Sequence, residues 1–433
     1  MTVEKKGRST MSKVVYNVLK LSVYRPLFHA LRVLIIGTGA VGSYLMEFFA
    51  KMGLSPDGMD FDHLTLENAA KHSCLVRTPE DAGRNKAECV ADRVQPLLDD
   101  GCSSNGINGD LCLLGPEAFA DYSYIVVAVD NYDAKVLLNE LIRQLPEDRR
   151  PIIIMAGTHD EVAESVILDN TESCIRCQID ENWMKDSSIR TSCTGPQVRQ
   201  IDGVNEIVRT SNLASSMAAH LSAEQLRASV IGHEGVMNRR LTYTAFPNLE
   251  LSSSHPMRKR NCPGCAIHPP AKIKWLHGSV MEVTLKDAIK QISAILGTTD
   301  FELSVHRLNY RKIVHAGFIM DDVCHSCGAP IKVMKHEGRV FPSDMRCKTC
   351  IATDAPLRPA SDFDHNDPLK AFTCDNAADL QQMTLYDLGY PLGAHIEVIQ
   401  RNGALDFLDT EKITKTVFAL DGDHLKMHEI RKL

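Results

Sequence analysis

Continuous apolar runs alternate with stretches of helical periodicity through the first 160 residues of the chain. Runs typical of strands buried on both faces lie at 33–36, 124–129 and 151–157, and a shorter strand candidate ends at the sequence GMDFD. Helical spacing is found at 43–51, 85–98 and 133–145. This alternation predicts an α/β fold with a Rossmann-like, doubly wound and mostly parallel sheet. Ligands of such sheets bind beyond the carboxyl ends of the strands.

The pattern changes after residue 158 and indicates additional domains. A loop-rich region at 170–210 precedes a helix rich in small residues, and 351–370 is typical of a linker. The expected organisation has four parts: an N-terminal segment at 1–30, the main α/β domain at 31–270, an accessory region at 271–360 and a small β-rich C-terminal domain at 361–433.

The composition is that of a soluble globular protein, with 44% hydrophobic and 24% charged residues and a mean hydropathy of −0.15. The net charge of −7 argues against bulk nucleic-acid binding. The sequence has no run of 18 apolar residues that could span a bilayer, and the basic N-terminus is not followed by a signal-peptide pattern. We therefore expect a cytoplasmic protein that has no membrane or nucleic-acid partner.

A glycine-rich turn follows the first strand candidate. Gly37, Gly39 and Gly42 form a GxGxxG motif between that strand and a helix, and Asp60 and Asp62 lie about 20 residues beyond it. Such a turn lets the backbone approach the phosphates of a nucleotide. An oxidoreductase would bind NAD with the same turn, so the motif alone does not identify the nucleotide.

The chain has fourteen cysteines, and eight of them form four CxxC pairs. Cys324, Cys327, Cys347 and Cys350 have the spacing of a zinc ribbon at 324–350, with 19 residues between the two pairs. The other two pairs are Cys174 with Cys177 and Cys262 with Cys265; 84 residues separate them, so their spacing alone is weak support for a shared metal. A redox role would need a thioredoxin-like pattern, which the sequence lacks.

Two further stretches narrow the choice of nucleotide: DHLTLENAAKHSCLVRTPEDAGRNKAE at 62–88 and AVDN at 128–131. With the glycine-rich turn, they resemble the ThiF/MoeB/HesA family, the enzymes that activate ubiquitin-like proteins and their bacterial relatives. The resemblance covers about residues 30–266 and is specific because it combines several motifs. It implies that 31–270 is an adenylation domain, with a crossing loop and one zinc ion bound by all four cysteines of the separated pairs.

The resemblance also implies a role for each matching residue. Asp62 would hold the ribose hydroxyls of ATP, and Asp130, next to Asn131, would bind Mg²⁺. The glycines of the turn would contact the phosphates together with three side chains: Asn68, Lys71 and Lys86.

Arginines matter at two points of the comparison with the family. The family usually has arginine where this chain has Lys71, and a lysine cannot grip phosphate with two parallel hydrogen bonds. Arg77 is a candidate to compensate. Family members often receive an arginine from the N-terminal segment of the partner subunit, and Arg8 and Arg25 are candidates for it.

Cys193, in the sequence RTSCTGPQV, lies outside all four CxxC pairs. In the family, the crossing loop carries the thiol that accepts the activated partner, often in a C-T sequence. The implied activity is ATP-dependent adenylation of the C-terminal glycine of a ubiquitin-like protein, thioester formation on Cys193 and transfer to a conjugating enzyme. Cys193, Lys86 and Asp130 are the implied catalytic residues, ATP, Mg²⁺ and two structural Zn²⁺ ions are the cofactors, and a homodimer is expected.

Other functions remain open from the sequence. The chain could adenylate a sulfur-carrier β-grasp protein for cofactor or tRNA thiolation, as ThiF and MoeB do, or could be a non-catalytic scaffold or a dinucleotide-dependent oxidoreductase. The C-terminal domain has two interpretations as well: a ubiquitin-fold domain that recruits a conjugating enzyme, or a small dimerisation or capping domain.

Overall fold

The computed structural model describes residues 25–66, 72–73, 75–77, 80–159, 162–179, 197–201, 204–208, 211–245, 248–305, 318–323, 327–336, 349, 372, 380–400 and 413–429. Several predicted site residues lie outside these ranges: Arg8, Asn68, Lys71, Cys193, Cys324, Cys347 and Cys350.

An eight-stranded sheet forms the centre of the main domain. The strands of this part of the chain are β1 (Arg32–Ile36), β2 (Ser55–Asp60), β3 (Gly106–Asn108), β4 (Tyr124–Val127), β5 (Ile152–His159), β6 (Val162–Leu168), β7 (Gln197–Ile201), β8 (Val204–Val208), β9 (Arg239–Thr244) and β10 (Glu250–Ser254). The sheet order is β10-β9-β6-β5-β4-β1-β2-β3, and β7 and β8 form a separate hairpin. Strands β1 to β5 are parallel, whereas β6, β9 and β10 are added in antiparallel fashion.

Helices cover both faces of this sheet. The α-helices among the described residues are α1 (Arg25–His29), α2 (Ala40–Met52), α3 (Lys86–Val94), α4 (Tyr132–Arg143), α5 (Asn212–Val230) and α6 (Leu285–Leu296), the last of which lies outside this sheet. In β1, Val33 and Ile35 pack with α2, α3 and α5, while Leu34 and Ile36 face the other way and pack with α4. Burial on both faces explains why β1 is a continuous apolar run and not an alternating one. The predicted fold class is thereby confirmed.

A second, four-stranded sheet combines two distant segments of the chain. Strands β11 (Ile273–Leu276) and β12 (Glu302–Val305) come from the first segment, and β15 (Ile396–Gln400) and β16 (Thr414–Leu420) from the second. The order is β11-β16-β15-β12, and β11 runs parallel to β16. Between the two segments, β13 (Phe318–Val323) and β14 (Pro330–His336) form a hairpin. The sheet therefore crosses the boundary at residue 361 that the sequence analysis placed between two domains.

Backbone hydrogen bonds attach the second sheet to the main domain. The Gly115 N–H donates to the Leu392 carbonyl at 2.6 Å, and the Glu117 N–H donates to the Gly393 carbonyl at 3.0 Å. A buried polar contact lies beside these bonds, with His395 Nε2 2.8 Å from Glu117 Oε1. Apolar residues of both units form one hydrophobic cluster. In the described part of the chain, no helix is both long and apolar enough to cross a membrane.

Candidate nucleotide site and metal centre

The glycine-rich turn is packed closely against the residues that follow β4 and against its own backbone. Gly37 has a φ of +88°, and a Cβ on it would lie 2.8 Å from the Ala128 carbonyl oxygen. A Cβ on Gly42 would lie 1.9 Å from the Gly37 carbonyl oxygen, so only glycine fits there. Nothing lies within 4 Å of the corresponding position on Gly39. The turn is thus tight on its inner side and open at Gly39, immediately before α2 begins.

Asp60 ends β2 directly beside this turn. Its Oδ2 accepts a hydrogen bond from the Thr38 N–H at 2.9 Å, and its Oδ1 accepts one from the Asp62 N–H at 2.9 Å. Burial raises the pKa of Asp60, an effect that the nearby Lys86 charge and these two N–H donors oppose. Among the described residues, Asp60 is therefore a carboxyl group in direct contact with the glycine-rich turn, two residues before the Asp62 that the sequence analysis chose.

Asp62 lies in an ion pair with Lys86. Lys86 Nζ donates to Asp62 Oδ2 at 2.9 Å, and the Lys86 side chain is only 4% exposed. Asn85 connects the segment of Asp60 and Asp62 to the start of α3, where Lys86 lies. Its Nδ2 donates to the Asp60 and Asp62 carbonyls, and its Oδ1 caps α3 by accepting from the Glu88 N–H. Asn85 is a positioning residue that the sequence analysis missed. Its one sequence signal is an N-cap residue directly before a helix.

The loop that leads to Lys86 is fixed by the buried Asp81. Arg93 donates to both carboxylate oxygens of Asp81, at 2.8 and 3.1 Å, and the Arg84 guanidinium donates at 3.2 Å. The Arg77 N–H donates to the same carboxylate at 2.7 Å. Although burial opposes ionisation, these hydrogen bonds and charges outweigh it and lower the pKa of Asp81 to about 2.

Asp130 and Asn131 follow β4 at the same edge of the sheet. Asp130 is exposed, and the Asn131 Oδ1 accepts from the Ala134 N–H at 3.4 Å at the start of α4. Since β1 lies between β2 and β4 and all three are parallel, their carboxyl ends bring the glycine-rich turn, Asp60 and Asp130 to one edge. This arrangement leaves an exposed carboxylate near a turn with free approach at Gly39, as a bound nucleotide and cation require.

Two arginines singled out in the sequence are engaged elsewhere. Arg77 is 65% exposed and lies 3.9 Å from Glu80. Arg25 forms an ion pair with Asp99, whose Oδ2 also lies 2.6 Å from His29 Nε2. Arg25 thus fixes α1 to its own chain.

Four cysteines from the separated CxxC pairs form a compact buried cluster: Cys174, Cys177, Cys262 and Cys265. Their Sγ atoms all lie within 4.8 Å of one another, and the shortest separations are 3.5 to 3.9 Å. Four sulfurs around a tetrahedral Zn²⁺ at about 2.3 Å would be about 3.8 Å apart, so the cluster is compatible with zinc. Four thiols with no open side match a structural site and not a catalytic one.

The cluster is packed against helix α4. A Cβ on Gly264 would lie 2.6 Å from Asn139 Nδ2 and 3.1 Å from Cys174 Sγ, so the knuckle needs glycine at this position. Arg143, in the last turn of α4, donates to the Cys265 carbonyl at 3.3 Å and to the Asn170 carbonyl at 2.6 Å. Of the second predicted set, only Cys327 lies in the described residues, and it is exposed. The second zinc site stays a prediction.

A model of the ThiF family matches residues 16–266, which is more than half of the 433 residues. The chain belongs to the ThiF family. A segment of 121 residues is 28% identical to the ubiquitin-activating enzyme E1 1 of Candida albicans (strain WO-1). That similarity covers 25% of this ThiF-family chain and 12% of the Candida protein.

Solved structures similar to this ThiF-family chain have low sequence identity. A crystal structure of E. coli MccB with succinimide is 16% identical, with a TM-score of 0.44, and the similarity covers 58% of this chain and 73% of MccB. A crystal structure of selenomethionine PaaA is 14% identical, with a TM-score of 0.44 and coverage of 59% and 86%.

We predict that Gly42→Ala lowers the free energy of unfolding by at least about 1–3 kcal/mol, because the new Cβ would collide with backbone that cannot move aside. Gly39→Ala is the matched control in the same ThiF-family turn: its Cβ meets no atom within 4 Å, so its stability should stay within about 1 kcal/mol of wild type. Urea denaturation of both variants measures this. Equal stabilities would contradict the packing described for the turn.

We also predict a pH-dependent contribution from Asp81. Its folded pKa of about 2 lies below the ordinary 3.8, so its stabilisation is complete above about pH 4 and is lost as pH falls through 2. Asp81→Asn should lower the free energy of unfolding by about 2 kcal/mol at pH 7. At pH 3 the difference in this free energy between the variant and wild type should be smaller by about 1 kcal/mol. Urea denaturation at both pH values measures this.

Asp92→Asn is the control for the Asp81 experiment. Asp92 also pairs with Arg84 but is 69% exposed, so its removal should change stability by less than about 1 kcal/mol. A cost for Asp81→Asn that is the same at both pH values would rule out the proposed electrostatic origin.

Proposed function

We propose that this chain is an ATP-dependent enzyme that adenylates the C-terminal glycine of a ubiquitin-like protein. The observation that carries the proposal is the convergence of the glycine-rich turn, Asp60, the Lys86–Asp62 pair and Asp130 at one edge of the sheet, in a chain of the ThiF family. The same edge is where doubly wound folds bind nucleotides.

Asp60 takes the ribose role in this proposal, in place of Asp62. A carboxylate at the end of the second strand, about 20 residues beyond the glycines, is the group that binds ribose hydroxyls in dinucleotide-binding folds. Asp60 occupies that position, and its hydrogen bond from Thr38 fixes it against the turn. Asp62 instead forms the ion pair with Lys86, and the Lys86 ammonium would contact the phosphates when the nucleotide binds. Asn68 and Lys71 remain proposed phosphate contacts.

In the adenylation step the substrate reacts directly with ATP, and no protein group forms a covalent bond. A carboxylate oxygen of the substrate's terminal glycine attacks the α-phosphorus of ATP, a new O–P bond forms, and the bond to the β-phosphate oxygen breaks to release pyrophosphate. Both reactants are anions, so catalysis is chiefly positioning and charge neutralisation. Asp130 would hold Mg²⁺, which offsets phosphate charge, while Lys86 and the N–H groups at the start of α2 offset the rest.

A second step uses the thiol of Cys193. The thiolate attacks the acyl carbon of the adenylate, forms a thioester and releases AMP, and the thiol proton is lost to solvent. Transfer from this thioester to the thiol of a conjugating enzyme would complete the reaction. Support for this step is the sequence CTGP in the crossing loop of a ThiF-family chain and a similarity over 121 residues to a ubiquitin-activating enzyme. The four-cysteine cluster would hold a structural Zn²⁺, and the functional unit would be a homodimer.

The ribose assignment predicts a specific change in nucleotide preference. Wild type should bind ATP about tenfold or more tightly than 2′-deoxy-ATP or 3′-deoxy-ATP, because a charged hydrogen bond is lost with the hydroxyl. Asp60→Asn should bind all three nucleotides with similar, weaker affinity, whereas Asp62→Asn should keep the preference. Isothermal titration of the three nucleotides against each variant measures this. Loss of the preference in Asp62→Asn alone would restore the assignment made from the sequence.

The two half-reactions predict different effects of two substitutions. Lys86→Met should reduce ATP–pyrophosphate exchange with a Gly-Gly-ended β-grasp protein by at least about tenfold, because a buried charged contact to phosphate is lost. Cys193→Ala should keep the exchange but abolish the thiol-reducible adduct between the two proteins. Exchange with no adduct in wild type would favour activation of a sulfur carrier. An absence of exchange in wild type would contradict adenylation altogether.

A further inference from the structure

Asn139 is a buried polar residue of α4 that lies beside the four-cysteine cluster. Its side chain is almost completely enclosed, since the residue is only 1% exposed. Neither its Nδ2 nor its Oδ1 has a hydrogen-bond partner within the part of the chain that the structure describes. A buried amide that is left unpaired costs free energy, so native proteins rarely keep one without a role for it.

Gly264 brings Asn139 and Cys174 close to the same point. A Cβ on Gly264 would lie 2.6 Å from Asn139 Nδ2 and 3.1 Å from Cys174 Sγ. The amide nitrogen and the sulfur are thus neighbours of one position, which glycine leaves free because it has no side chain. The terminal torsion of asparagine has a broad energy minimum, so a small rotation can direct an N–H of Asn139 at the sulfur.

Two more residues on the same turn of α4 contact the segments that carry the cysteines. Glu140 Oε1 lies 3.7 Å from Arg176 Nη1, and Arg143 donates to the Cys265 carbonyl at 3.3 Å. Glu140 and Arg143 therefore each have a polar contact on this side of the helix. Asn139 differs from them because it is a neutral donor that no other described residue engages.

The chemistry of the cluster calls for a donor at this place. Four thiolates carry more negative charge than one Zn²⁺ can neutralise, and the cluster is buried, so water does not screen the excess. Hydrogen bonds from neighbouring groups to the ligands normally offset such charge. Three basic side chains of the surrounding segments are already engaged with oxygen atoms of other residues: Arg143, Arg176 and Lys259.

We propose that Asn139 is a positioning residue of the metal centre, and that its side-chain N–H donates to the Cys174 thiolate when the four cysteines hold Zn²⁺. The inference rests on the structural zinc site of the proposed function. The hydrogen bond would stabilise the thiolate relative to the thiol and would give the buried amide its partner. It would also connect the metal centre to α4, the helix that begins two residues after Asp130.

The test compares two substitutions of Asn139 in the full-length protein. Asn139→Leu removes both polar atoms at a similar size, and Asn139→Asp keeps the shape but exchanges the N–H donor for a carboxylate oxygen. Competition with a chromophoric chelator measures the zinc affinity, and Co²⁺-loaded protein reports the thiolate-to-metal charge-transfer absorption. Both variants should bind Zn²⁺ at least about tenfold more weakly and shift that absorption, because a hydrogen bond to a metal ligand is lost.

Gln144→Leu is the matched control at the end of the same helix. Gln144 is 3% exposed, and its amide donates to the Glu140 carbonyl at 3.2 Å and not to a cysteine. This variant should keep the zinc affinity and the cobalt spectrum of wild type. Because the sequence predicts a second zinc site, a Cys174→Ser variant identifies the zinc of this cluster as the zinc that the variant lacks.

Four outcomes overturn the inference. Wild-type zinc affinity and cobalt spectrum in Asn139→Leu would exclude a role at the metal. A normal Asn139→Asp variant beside a weakened Asn139→Leu variant would assign the role to the oxygen and not to the N–H. An equal loss in Gln144→Leu would attribute the effect to the packing of α4. A wild type with no more zinc than Cys174→Ser would contradict the zinc site itself, whereas pyrophosphate exchange tests the proposed adenylation separately.

Discussion

The contact on which the candidate site depends is the close approach of Gly42 to the Gly37 carbonyl. With a Cβ position only 1.9 Å from that oxygen, helix α2 can follow β1 this closely only if residue 42 is glycine. The short turn between β1 and α2 places the N-terminal end of α2 at the edge of the sheet where β2 and β4 also end. The hydrogen bond from the Thr38 N–H to the Asp60 carboxylate depends on the same contact, because Thr38 is part of the turn.

The fold was largely predictable, because its information lies in local patterns. Strands buried on both faces are continuous apolar runs, and the alternation with helices implies parallel order. The proposed choice of Asp60 over Asp62 as the ribose-binding residue could not be made from the sequence in the same way. Both carboxylates fit the distance along the sequence, and the decision depends on where β2 ends and on the buried Lys86 that takes Asp62.

The second sheet shows the limit of reading domains from linear order. Its β11 and β16 pair in parallel although 137 residues separate the end of β11 from the start of β16. The sequence analysis placed a domain boundary between these two strands because the composition at 351–370 is linker-like. Gly393 and Gly115 meet backbone to backbone at the junction, and the Glu117–His395 pair is buried beside them. The C-terminal strands therefore complete a structural unit, and their removal would expose part of the core shared with the main domain.

Helix α4 connects the candidate site with the four-cysteine cluster. Asp130 lies two residues before its first end, and Arg143 at its other end donates to the Cys265 carbonyl. A helix of twelve residues is about 18 Å long and nearly rigid, so displacement of one end moves the other. A metal that closes the cluster would therefore do more than stabilise a distant loop. It would fix the Cys265 carbonyl that holds Arg143 and, through α4, the position of Asp130, which we propose as the cation ligand.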